Sequence, residues 1–209
     1  MKTKKQQGLL FVISGPSGVG KNTILNEVLK KRPDIIYSIS ATTRAPRCNE
    51  RDGVNYFFLT EEEFQKQITA GGFLEWARVY DCYYGTPRKT VEEHLQNGTH
   101  VLLDVDIQGA AQIRRNFSGS IQIFLFPPSL QVLKERLLGR RTEDPTAIEK
   151  RLRYIKKELS AVGNYDYVVV NDEITEACHR VEAIISAEET RVSRGYWQDL
   201  LNDFELDKI

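Results

Sequence analysis

Apolar residues fall along this chain in two rhythms. Short unbroken runs, Leu9–Ile13, Thr99–Val105, Ile121–Phe126 and Tyr165–Val170, have the length of strands covered on both faces. Between them, apolar positions recur at helical spacing. Ile24, Leu25, Val28 and Leu29 do so until Pro33, and Leu130, Leu133 and Leu137 do so behind Ser129, a predicted cap. Further stripes run over Ile107–Phe117, over Ile148, Leu152, Ile155, Leu159 and Val162, and from about Ile174 to Arg194. Strands alternating with helices predict an α/β fold, a parallel sheet with helices on both faces. Beyond Gly195, residues Trp197, Leu200, Leu201 and Phe204 predict a short amphipathic C-terminal tail over 195–209, packed on the body or on another subunit.

The alternation fails between residues 39 and 92. Ile35–Ser40 and Val54–Leu59 read as strands, and Thr60-Glu61-Glu62-Glu63 as a capping box that opens a helix with Phe64 and Ile68 on one face. Phe73–Tyr80 reads as another strand. Thr86 and Pro87 predict an N-cap and first helical position for a helix carrying Val91 and Leu95. Such a stretch is an insertion into the parallel core. Glu75 stands in it among large apolar neighbours. Facing outward it would be solvated; facing inward it demands a ligand or a basic partner, because an unpaired buried carboxylate is costly.

Composition narrows the functional classes. With 209 residues there is room for one good core and a small appended unit, and 41% apolar with 28% charged residues is ordinary for a globular protein. Lys plus Arg equals Asp plus Glu at 29 each. No basic excess marks a nucleic-acid partner, so any polyanion site must be a local arginine cluster. Cys48, Cys82 and Cys178 are odd in number, widely spaced and form no C-x-x-C pair, which predicts free thiols in a reducing compartment. No apolar run reaches a membrane span, and the run after the basic, polar Met1–Gln7 is too short for a signal peptide. The expectation is a cytoplasmic protein with no membrane partner. His94, His100 and His179 share no ligand spacing.

Chemistry concentrates at four places. Gly15-Pro16-Ser17-Gly18-Val19-Gly20-Lys21 fits the phosphate-binding G-x-x-x-x-G-K loop, with a strand before it and a helix after it. Its glycines let main-chain N–H groups face inward, the helix N-terminus adds partial positive charge, and Lys21 adds a full one. Asn22 stands where a magnesium-binding hydroxyl is usual, and the hydroxyl comes one place later at Thr23. Arg44 and Arg47, in a stretch broken by Pro46, can converge on one anion from a loop through their planar forks, or simply form a solvated basic loop. Asp104 and Asp106 close a core strand, where ligands bind in α/β sheets; a helix-capping role fits Asp106 better than Asp104. Lastly, the charged run from Arg136 through Arg140, Arg141 and Pro145 reads as a mobile lid or a plain surface turn, with Arg151 on the helix after it.

Taken in order, GPSGVGK, Ser40-Ala-Thr-Thr-Arg44-Ala-Pro-Arg47, the Tyr56-Phe57-Phe58 strand, Leu74-Glu75-Trp76-Ala77, Tyr83-Tyr84-Gly85-Thr86, Asp104-Val-Asp106-Ile-Gln-Gly109 and Tyr165-Asp-Tyr167-Val through Asn171-Asp172 resemble the guanylate kinase family, nucleoside monophosphate kinases of the P-loop class. The resemblance covers residues 8 to about 190. It implies a domain over 6–190 with a small mixed GMP-binding insertion (39–92) and a lid (about 138–147). The implied activity is transfer of the γ-phosphoryl group of ATP to GMP with Mg2+, within purine nucleotide metabolism and GMP recycling. It implies that the P-loop residues Gly15 to Thr23 and Asn171 hold ATP. Arg44, Arg47, Tyr56 and Tyr84 would hold the GMP phosphate, and Ser40, Glu75, Thr86 and Asp106 would face guanine. Asp104, counted with the GMP site as well, and Thr23 would act on magnesium through water. Lys21, Arg44, Arg140 and Arg151 are the implied catalytic charges.

The base assignment also has a physical basis. Guanine offers N1–H and its 2-amino group as adjacent donors to a carboxylate, where adenine offers a bare acceptor. Three residues depart from the family pattern: Asn22, Asn49 in place of a usual loop glycine, and Arg141 in place of a usual lid glycine. Alternative expectations are a monophosphate kinase for another base, and a catalytically silent guanylate-kinase-like module that binds phosphopeptides. Oligomeric state is left open.

Overall fold

The computed structural model describes residues 7–138, 155–195, 197 and 201. Five parallel strands form the main sheet: β1 (Leu10–Ser14), β2 (Ile35–Tyr37), β7 (His100–Asp104), β8 (Ile121–Phe126) and β9 (Tyr167–Val170), in the order β2-β7-β1-β8-β9. All five point the same way, so the carboxyl ends of the central strands share one edge. The apolar run of β1 is buried along its whole length because alternate side chains feed opposite faces. Phe11 and Ile13 pack with Ile24, Leu25 and Val28 of α1 (Lys21–Lys31) and with Ala177, Cys178, Val181 and Ile185 of α7 (Ile174–Glu189). Leu10 and Val12 pack on the other side, with Val91 and Leu95 of α3 (Arg88–Gln96) and Ala110 and Ile113 of α4 (Ile107–Asn116). Helices therefore cover both faces, as the sequence pattern predicts.

A second, mixed sheet fills the stretch where alternation fails. Strands β3 (Ala41–Thr42), β4 (Phe57–Phe58), β5 (Phe73–Val79) and β6 (Cys82–Pro87) lie in the order β4-β3-β6-β5. β3 pairs parallel with β4, and β6 is antiparallel to both β3 and β5. The capping box forms as predicted at the start of α2 (Glu61–Thr69), with the Thr60 hydroxyl accepting from Glu63 N and the Glu63 carboxylate accepting from Thr60 N. The helix closes this sheet through Phe64, whose ring stacks on Phe73 at 4.3 Å and on Tyr83 at 5.4 Å. Ala41 completes that small separate core.

Local expectations fail at four boundaries. Thr86 and Pro87 do not open a helix from a capping position: both belong to β6, Pro87 takes the N-cap of α3, and no side chain caps it. Thr86 is drawn into the strand because its hydroxyl is spent on Glu75 across the pair. The strand expected over 35–40 is split, ending at Tyr37 in one sheet and resuming at Ala41 in the other. Only Phe57 and Phe58 of the strand expected over 54–59 enter a sheet. The last helix stops at Glu189, and Val192–Arg194 form a separate 3-10 turn.

Ser129 does cap α5 (Leu130–Leu138), its Oγ accepting from Val132 N at 3.1 Å. Residues 155–160 are helical (α6), and Ile155 packs with Leu133. The lid residues Arg140 and Arg141, and Arg151, lie outside the described residues, as does most of the tail. Trp197 and Leu201 of the tail are exposed. No described helix is long and apolar enough to cross a membrane, and all three cysteines are free.

At the opposite edge of the main sheet, His100 lies beside Asp34 and Glu189 in an arrangement with metal-like spacing. Its ring nitrogens are already committed: Nδ1 accepts from Leu9 N at 2.9 Å and Nε2 lies 3.1 Å from a Glu189 oxygen, while Arg32 bonds both carboxylates. A guanidinium occupies the place a cation would take.

Candidate active site

Along the carboxyl edge of the main sheet the chain leaves β1 at Ser14 and curls through Gly15, Gly18 and Gly20, all with positive φ. Two of these glycines are fixed by contact as well as conformation. A Cβ at Gly15 would stand 2.4 Å from the Leu125 carbonyl oxygen of β8, and one at Gly20 would stand 2.7 Å from Asn171 Nδ2. Pro16 O accepts from Val19 N at 3.2 Å, closing the turn. Ser17, Gly18, Gly20, Lys21, Asn22 and Thr23 line a cavity of about 180 Å³ at the start of α1. Lys21 is bound within its own loop, Nζ donating to Gly15 O at 2.9 Å.

The buried residue Val19 anchors the loop from behind. Its carbonyl accepts from Asn171 Nδ2 at 2.7 Å and from Arg136 Nη1 at 3.4 Å, and Arg136 also donates to the carbonyls of Asn171 and Asp172. Asn171, expected at ATP, is thus a brace for the P-loop, although its buried Oδ1 accepts from no described residue. Arg136 was visible in the sequence only as one more arginine before the lid; its bonds to three carbonyls are a tertiary fact.

Asp104, at the end of β7, is half-buried; burial pushes its carboxyl up and the Lys21 charge pulls it back. Glu158 of α6 behaves alike: burial raises it, while the Ser17 backbone N–H and Lys21 oppose. Thr23 is exposed on the P-loop cavity. Thr23 and Asp104 offer only hard oxygen donors, which suits magnesium.

A second constellation lies on the small sheet. The Arg44 guanidinium sits over the Tyr56 ring at 5.5 Å and the Phe58 ring at 5.9 Å, and Tyr56 meets Tyr84 edge-on at 6.1 Å. Three of the four residues expected at the GMP phosphate are therefore gathered. Sequence reasoning missed what holds them. Glu50 takes Arg44 Nη2 in both oxygens, at 2.8 and 2.9 Å, and accepts from Arg47 N at 2.8 Å. The bond to Glu50 is the main cause that raises the basicity of Arg44, with Tyr84 adding to it. Arg47 itself is exposed. Asn49 needs no left-handed backbone, since Tyr80 is the only non-glycine residue with positive φ among those described.

Glu75 stands on β5, against the first turn of α4. It is 9% exposed, and its Oε1 accepts from Thr86 Oγ1 at 2.6 Å. No basic residue pairs with it among the described residues. Asp106 Oδ1 caps α4 by accepting from Gln108 N and Gly109 N, as expected of a cap. Gly109 lies so near that a Cβ there would be 3.1 Å from Glu75 Oε2. Ser40 is half-buried at the head of β3, its carbonyl accepting from Phe57 N. A buried carboxylate held by Thr86, with no cation on it among the described residues, has the chemistry to accept from paired donors.

Comparison with known proteins gives the family. The guanylate kinase family profile matches residues 7–188. This chain belongs to the guanylate kinase family. It is 50% identical to the guanylate kinase of Caldanaerobacter subterraneus over 91% of this chain and 93% of that one. With that of Thermotoga maritima it shares 44% identity over 96% of each. The crystal structure of guanylate kinase from Anaplasma phagocytophilum superposes with a TM-score of 0.74 at 34% identity, covering 97% of this chain and 98% of that one. Neither a kinase for another base nor a silent module finds support in these guanylate kinase matches.

Proposed function

We propose that this chain transfers the γ-phosphoryl group of ATP to GMP, giving ADP and GDP, and that the two constellations divide the work. The P-loop from Gly15 to Thr23 holds the ATP phosphates through inward N–H groups and Lys21, which exchanges its bond to Gly15 O for phosphate oxygen. Arg44, Arg47, Tyr56 and Tyr84 hold the GMP phosphate. Glu75 accepts from guanine N1–H and the 2-amino group, while Thr86 and Ser40 can donate to O6 and Asp106 lies beside them. Thr23 and Asp104 would hold the magnesium that accompanies ATP, through water, and the ion would supply positive charge against the phosphates.

No nucleophilic side chain is required, because phosphoryl transfer depends on alignment and charge stabilisation. Lys21 and Arg44 supply charge from the described residues, and Arg140 and Arg151 would add it from outside them; one such arginine can be worth ~10³–10⁵ in rate. A lid over 138–147 would exclude water so that phosphate reaches GMP and not solvent.

The observation that carries this reading is the buried Glu75–Thr86 pair, a carboxylate that meets no cation among the described residues, in a chain that also forms the glycine loop at the start of α1. Its test is ADP release from ATP upon addition of GMP, with Lys21→Ala as the control. We expect GMP-dependent turnover that falls by on the order of 10²-fold or more in Lys21→Ala. Turnover that ignores GMP, or survives loss of Lys21, would refute it.

A further inference from the structure

The outer strand of the small sheet is closed by side chains. β5 pairs with β6 on one side only, leaving an edge of unpaired backbone groups. Helix α4 covers that edge. Gln112 Oε1 accepts from Trp76 N at 3.2 Å, and its Nε2 donates to Trp76 O at 3.0 Å, the two bonds a neighbouring strand would make. One turn further on, Asn116 Nδ2 donates to Leu74 O at 2.7 Å. These contacts bracket Glu75 on both sides.

The bracket falls where β5 is least determined by its own sheet. Pairing with β6 slips between Phe73 and Glu75, an irregularity of the kind that re-aims a side chain. Leu74 lies in that slip, and Asn116 takes its carbonyl. On the same face of α4, Gly109 sits against the Glu75 carboxylate, where a Cβ would make a tight contact of 3.1 Å. Asp106 starts this helix at the end of β7, beside the P-loop strand. One short helix thus links the phosphate edge of the main sheet to the carboxylate on the small one.

We propose that Gln112, assisted by Asn116, is a positioning residue for acceptor recognition. By replacing a missing strand at the slip in β5, its carboxamide sets the rotation of the backbone at Glu75, and so the direction in which the carboxylate meets the 2-amino edge of the purine. This rests on the reading of Glu75 as the guanine receptor. A merely structural amide would lower stability without altering which base is preferred.

The test compares GMP with IMP, which lacks the 2-amino group, in the full chain carrying Gln112→Leu, Glu75→Gln or both. In Gln112→Leu we expect the preference for GMP over IMP in kcat/KM to fall about five- to tenfold, chiefly through KM for the acceptor, with KM for ATP changed less than about twofold. In the Glu75→Gln background the same substitution should change the preference by less than about twofold, because the two act as one unit. An unchanged preference in Gln112→Leu, or an equal loss in both backgrounds, overturns the proposal. If Glu75→Gln alone leaves the preference intact, the reading of Glu75 fails, which is a different result from failure of Gln112. Should Gln112→Leu not fold, Asn116→Ala, which frees only the Leu74 carbonyl, gives the same comparison with a smaller shift.

Discussion

Burial pushes the Glu75 carboxyl above its ordinary value of 4.5, and the nearby Asp106 charge adds to the push, while the Thr86 hydroxyl bond opposes it. A folded-state value raised in this way penalises the ligand-free protein at neutral pH, and the penalty is relieved as pH falls through that raised value. Glu75→Gln is therefore expected to stabilise the empty protein at pH 7 by about 1 kcal/mol while weakening its preference for GMP. Thermal unfolding with and without GMP measures both; a variant less stable than the parent when empty would contradict it. The sequence showed Glu75 as a carboxylate among apolar neighbours and narrowed it to two fates. It could not show Glu50, whose grip on Arg44 and on the Arg47 backbone depends on a loop that folds back on itself. Nor could it show Gln112, which resembles any helix-surface glutamine until β5 is placed beside it.

At the scale of elements, signals written in adjacent residues were the reliable ones. The Thr60–Glu63 capping box and the Ser129 cap form as read, because each partner lies within one helical turn. Thr86-Pro87 carries an equally good local signal, yet Thr86 becomes strand, because a partner eleven residues away at Glu75 and the pairing of β6 on two sides outweigh one cap bond. The small sheet also has its own core around Phe64, although Leu74 of β5 packs into the main one. Phe64→Ala should remove about 3–5 kcal/mol of its packing against Phe73 and Tyr83. Because the P-loop helix packs in a different core, KM for GMP should rise at least several-fold with KM for ATP nearly unchanged. Equal effects on the two substrates would mean that the sheets are not energetically separate.

For the whole molecule, the parallel core and its insertion were legible because buried strands and amphipathic helices leave different periods in the chain. The order β2-β7-β1-β8-β9 was not, since neighbours in a parallel sheet are set by crossovers that no local pattern records. The assembled fold carries a glycine loop on one sheet, an arginine–tyrosine cluster on the other, and α4 running from the end of β7 along the edge of β5. On the proposed reading, the Glu75 carboxylate makes GMP the acceptor. The most direct test is initial-rate turnover with ATP against GMP, AMP, CMP and dTMP, each in the parent chain and in Glu75→Ala. The parent should use GMP by at least about 10²-fold over AMP, and Glu75→Ala should lose most of that margin through GMP. Comparable use of AMP by the parent, or a margin untouched by Glu75→Ala, would contradict it.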